Sequence, residues 1–352
     1  MRYLIFLVVF ASFTLSAQEE EEYDYDNVQY AGGSAKEYAN AKIVGLSPAK
    51  FVQIAWDMQT PYSIQTSAPG NYAPDSEWEP QQKGRVNYTG GLRLNANIPI
   101  ISRNNIIWQA GFNYMQTRFN IKDIEGVNTN FLTELNSKSL QSTSVFSTVY
   151  KPLNAKQFLL FQGQIDYNGN YTLSTLHSFN LIKYQWAAIW GKRPSDYKQW
   201  GIGLSRTYRV GALNYIPVIL YNSTSKNRKW GTEILFPARA HGRYNFSNNN
   251  LILFGYELEG GSYHFRNLSE GNNSFELRRG EIRPRIEWQK QLVGYFWGNL
   301  QVGSRLDYSF MADNLKDGKE FYRGFFGQQE VTQFSSLATS AYFLIGISFV
   351  SP

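Results

Sequence analysis

The chain has 352 residues, with 34 Lys and Arg against 28 Asp and Glu, for a formal net charge of +6. It holds no cysteine and only His177, His241 and His264, which excludes disulfides, thiolate metal sites and a Cys nucleophile and leaves few imidazoles for a metal. The positive excess is spread along the chain instead of forming a stripe, so no nucleic-acid partner is expected.

Residues 1–17 begin with Met1-Arg2, continue with an apolar stretch from Leu4 to Leu15 and close on Ser16-Ala17. This is the layout of a secretory signal cleaved near Ala17 and is too short for a helical anchor. Residues 18–48 follow as an N-terminal periplasmic segment that opens on the acidic run Glu19 to Glu22, Asp24 and Asp26. Such a run is either a solvated tail or a plug for a basic lumen.

Residues 49–352 are expected to form one domain, because a period of two recurs throughout. Val86, Tyr88, Gly90, Leu92, Leu94, Ala96, Ile98 and Ile100 alternate with Asn87, Arg93, Asn95 and Asn97, a pattern that only a half-buried strand rewards. The same alternation returns at 106–114, 159–168, 182–190, 252–259 and 282–288. In the last strand Leu337, Ala341, Phe343, Ile345, Ile347 and Phe349 share a face. The strands are long, with an aromatic apolar face and charges in the middle of the polar face. A lipid-facing exterior and a wet interior explain both features. The fold class expected is an all-β, up-and-down antiparallel transmembrane barrel.

Short connections near 102–105, 151–156, 191–198, 247–250 and 289–291 interleave with longer ones to give twelve strands. The longer set includes 223–229. Fourteen is the alternative, reached by splitting 199–221 and adding Ala41 to Leu46. Trp108, Trp190, Trp200 and Trp288 lie near the short connections and form the expected periplasmic girdle; Tyr114, Tyr308 and Phe310 form the outer one.

At Phe236-Pro237-Ala238-Arg239, Arg243 to Ser247 and Leu253 to Glu257, the chain resembles uncharacterised outer-membrane barrels of Bacteroidota-type bacteria. The final strand, Ser340 to Phe349, resembles the signal read by the barrel-assembly machinery. The resemblance implies residence in the outer membrane of a Gram-negative bacterium, with lipid and that machinery as partners, and supplies no catalytic residues.

The richest constellation is the charged set Glu233, Arg239, His241, Arg243, Glu257, Glu259, Glu281, Arg283, Arg285 and Glu287. Arg239 is expected to face Glu257 across a hairpin, with Arg283 approaching Glu257 from the next strand. Arg239, Glu257, Glu281, Arg283, Arg285 and Glu287 form the expected lumen belt, either a paired structural ladder or a charge filter. Gly201-Ile-Gly203 is a pair of strand glycines and not a nucleotide loop. His264 with Ser262 or Ser269 is the one arrangement that a lipase could use. No cofactor, metal or catalytic residue is expected. The reading is a channel or uptake protein for small solutes, the alternatives being a closed barrel whose loops bind a partner and a lipase-like enzyme.

Overall fold

The computed structural model describes residues 43–67, 78–127, 130–171, 182–209, 213–266, 274–314 and 333–350. The signal, its cleavage site, the acidic run and Ser269 lie outside them. Sixteen strand segments form one antiparallel sheet that closes on itself. They are β1 (Lys50–Gln59), β2 (Tyr62–Thr66), β3 (Gln82–Arg103), β4 (Ile106–Gly126), β5 (Leu140–Pro152), β6 (Gln157–Gly169), β7 (Ile182–Ser195) and β8 (Lys198–Thr207). The others are β9 (Asn214–Thr224), β10 (Trp230–Phe236), β11 (Arg239–Ser247), β12 (Asn250–Arg266), β13 (Ser274–Val293), β14 (Phe296–Asn314), β15 (Gln333–Leu337) and β16 (Ser340–Val350).

β1 and β2 pair successive stretches of β3 and act as one strand of the wall. β15 and β16 likewise act as one, and β16 closes the ring on β1. The barrel therefore has fourteen strands, not twelve. One extra strand comes from the split of 199–221 into β8 and β9. The other comes from a hairpin at Pro237-Ala238 within what reads as one strand, since Ala41 to Leu46 contributes no strand in its described part. Pro237 lacks an N–H for the ladder, which is why the pairing turns back there. The split into β8 and β9 moves the 225–229 connection to the short-turn end, correcting its expected side.

β3, β4, β13 and β14 run for 22, 21, 20 and 19 residues, about twice the roughly 9–11 that cross a bilayer. β10 and β11, with 7 and 9 residues, make the lowest part of the wall at the long-loop end. The chain leaving β8 runs across this dip. The Arg209 carbonyl accepts from the Tyr308 hydroxyl at 3.3 Å and lies so close to Gly260 that a side chain there would collide with it.

The outer face is apolar, with Ile286 at 55% and Ile345 at 58% exposure. Trp108 and Trp288 are exposed, and Trp190 and Trp200 meet edge to face at 5.9 Å. All four project outward near the short turns.

The outer girdle needs one correction. The ladder between β13 and β14 shifts by one residue at Tyr308, between Glu281↔Asp307 and Gly280↔Ser309. A bulge of this kind exchanges the two faces beyond it. Tyr308 stays outside at 43% exposure, while Phe310 turns inward and is 1% exposed. The shift between Val86↔Ile121 and Tyr88↔Asn120 does the same to Val86, so the expected fifteen-residue alternation is broken at its start. Leu337, separated from β16 by a two-residue break, is also buried and leaves the face assigned to it.

These inversions serve a helix that the periodicity did not predict. α1 (Asn130–Ser137) lies in the 120–139 connection. Its Leu132 and Leu135 are fully buried in a core with Ile64, Val86, Phe119, Phe265, Leu277 and Phe310. Among the described residues, no helix is long and apolar enough to cross a membrane.

Candidate functional site

Below that core the inward face turns polar. On β12 and β13 the register sets Glu257 opposite both Arg239 and Arg283, as the sequence suggests. The bonds instead run diagonally. Arg285 donates to Glu257 and, at 3.1 Å, to Glu287. Arg283 donates to Glu259 and, at 2.5 Å, to Glu281. An arginine side chain is long enough to bypass its direct neighbour, and two carboxylates satisfy more of its donors than one.

Residues outside the expected belt complete the network. Asp57 on β1 accepts from Arg93 on β3 and from Arg305 on β14, and Arg283 lies 3.7 Å away. Arg93 also donates to both oxygens of Glu259 at 2.6 and 2.8 Å. β3 and β12 are separated in the ring by β1, β16, β14 and β13, so this bidentate bond crosses the interior as a chord. The Arg283 and Arg305 guanidiniums lie 5.4 and 5.3 Å from the centre of the Tyr342 ring, within cation–π range. Arg279 donates to Glu281 at 2.6 Å and approaches Asp307 at 3.6 Å. Lower down, Lys50 donates to Glu287 at 3.0 Å.

The inward parity of Asp57 and Arg93 could have been read from their alternating segments. The chord could not, because nothing local tells which strands face each other across a barrel.

The opposite arc, β3 to β8, carries amides and hydroxyls. Asn95 donates to Asn113, Gln164 donates to Asp166 at 2.6 Å, and Ser144, Gln162 and Ser205 line the same face. A cavity of ≈760 Å³ lies between this wall and the charged network. Higher up, Lys183 on β7 approaches Glu276 on β13 at 3.6 Å, a second chord.

A strap crosses the short-turn end. The Val44 amide donates to the Asp196 carbonyl at 2.9 Å, and Asn245 donates to the Gly45 carbonyl at 3.3 Å. Gly45 has φ +74°, a backbone conformation that glycine takes without penalty. The Ser47 amide and hydroxyl donate to the two oxygens of Glu233 at 2.8 and 2.6 Å, and Arg243 holds that carboxylate at 2.5 Å. β1, where the strap ends, lies opposite β9 and β10 in the ring.

Ser262 and His264 share the inward face and are buried. Ser262 gives its hydroxyl proton to Glu276, which is not the Ser-to-His bond that a nucleophile needs.

No protein-family model matches the chain, and no curated protein does. Among solved structures it is similar to an outer membrane channel from Pseudomonas putida F1, with 13% identity over 90% of this chain and 100% of that one and a TM-score of 0.33. It is also similar to a Pseudomonas aeruginosa FadL homologue, with 8% identity, coverage of 85% and 90% and a TM-score of 0.31. The third is the Escherichia coli outer membrane protease OmpT, with 8% identity, coverage of 87% and 99% and a TM-score of 0.27.

Proposed function

We propose that this chain is an outer-membrane β-barrel of a Gram-negative bacterium that passes small polar solutes through a charged lumen. The observation that carries this reading is a closed ring with an apolar outer face around a polar cavity of ≈760 Å³. A closed barrel satisfies every ladder hydrogen bond without water, which is what a lipid surrounding demands. Lipid and, during insertion, the barrel-assembly machinery are its proposed partners. Single-channel recording in planar bilayers tests the reading. Discrete current steps are expected from the folded protein.

A second reading is a closed barrel whose outer loops bind a partner. The α1 core favours it, because Leu132 and Leu135 fill the interior at the long-loop end. Folded wild type that carries no current supports this reading and removes the first.

A further inference from the structure

Most of the charged wall is committed to itself. Lys50, Arg93, Arg243, Arg279, Arg283, Arg285 and Arg305 each contact at least one carboxylate. Arg239 and Arg209 also line the cavity, yet their side chains enter no hydrogen bond or ion pair among the described residues. Both act electrostatically on Glu257, but that carboxylate bonds to Arg285.

Several buried polar atoms of the cavity lining are in the same condition. His241 Nε2, on a residue 6% exposed, and Asn97 Oδ1 have no hydrogen-bond partner. Buried polar atoms are nearly always satisfied by protein, water or ligand. His241 is two residues from Arg239 on one strand, so both project from the same face. Across the cavity stand the side chains of Asn95, Asn113, Gln162 and Ser205. Amides both donate and accept, which suits an array of hydroxyl groups. The uncommitted guanidiniums present paired donors in the geometry that a carboxylate accepts in two places. The volume falls within the roughly 300–1,000 Å³ of small-molecule sites.

We propose that this cavity binds a small hydroxylated carboxylate, an acidic sugar. Arg239 and Arg209 take the carboxylate, while His241 and the amide and hydroxyl wall take the hydroxyls. This rests on the reading that solutes reach the lumen.

The test is calorimetric titration of the detergent-solubilised full chain with D-glucuronate, D-glucose and acetate. Glucuronate is expected to bind at least about tenfold more tightly than either the neutral sugar or the bare carboxylate. Arg239→Gln is expected to cost about tenfold or more for glucuronate, the size of a lost charge-assisted bond, and to leave glucose unchanged. Arg209→Gln is expected to act in the same direction, and it decides the matter if the first variant does not fold by heat-shifted gel mobility. Equal affinity for glucose and glucuronate, equal affinity for acetate and glucuronate, no heat with any of the three, or folded variants that bind as wild type each overturn the inference. Wild type that conducts but binds none of the three sinks the inference and leaves the passage standing. Wild type that binds glucuronate without carrying current does the reverse.

Discussion

The long-loop end and the middle of this barrel are built from the same strands, yet their interiors have opposite chemistry. β12, β13 and β14 point Glu259, Glu281 and Arg305 inward at mid-height. A few residues further on they point Phe265, Leu277 and Phe310 into the α1 core. The apolar part is a small conventional core, closed by a helix. The charged part is held by pairing and borders open volume. The difference teaches that burial inside a barrel is not one condition. Where a helix fills the space, apolar packing supplies the stability; where volume is kept, ions must satisfy one another.

Substitutions separate the two regions. The largest effect is expected from Arg283→Met, which strands the Glu259 and Glu281 partners of a buried charge. Removing one member of such a set costs about 3–5 kcal/mol, read as a lower urea midpoint for unfolding from micelles. Leu135→Ala comes next, at about 2–5 kcal/mol for a cavity in a close-packed core. Its expected effect on ion selectivity is nil, since Leu135 borders the apolar core and not the charged wall. The smallest is Glu233→Gln, which weakens the hold on Ser47 and Arg243 by about 1.5–3 kcal/mol. Freeing the strap is expected to raise the current through an open barrel while leaving the α1 core intact.

Much of the wall was legible in the sequence, because a period of two reports which face each residue takes. It was legible for β13, where Arg283 and Arg285 alternate with Ile282 and Ile286, and for the Trp108 and Trp288 girdle. It failed at Phe310 and Val86, where one extra residue exchanges the faces, since a bulge leaves no mark in an alternating pattern. It also failed at Pro237-Ala238, a two-residue turn between strands too short to look separate. α1 was missed because eight residues are too few for a helical period to stand out. The candidate site was half visible. The register that sets Glu257 opposite Arg239 and Arg283 could be read, but the pairing that forms could not, and Asp57, Arg93 and Arg305 belong to the network only because the ring closes.

The membrane orientation underlies all of this, and the absence of native cysteine allows it to be measured residue by residue. Spin labels placed by Ile286→Cys and Ile345→Cys on the outer face, and by Gln162→Cys and Ser205→Cys on the cavity wall, can be compared in lipid vesicles. Collision with dissolved oxygen and with a water-soluble nickel chelate is read by power saturation. The two outer sites are expected to favour oxygen strongly, and the two inner sites to be shielded from the lipid-dissolved oxygen that reaches the outer pair. Outer labels that meet the chelate as freely as a surface loop does would contradict a barrel whose apolar face lies in lipid.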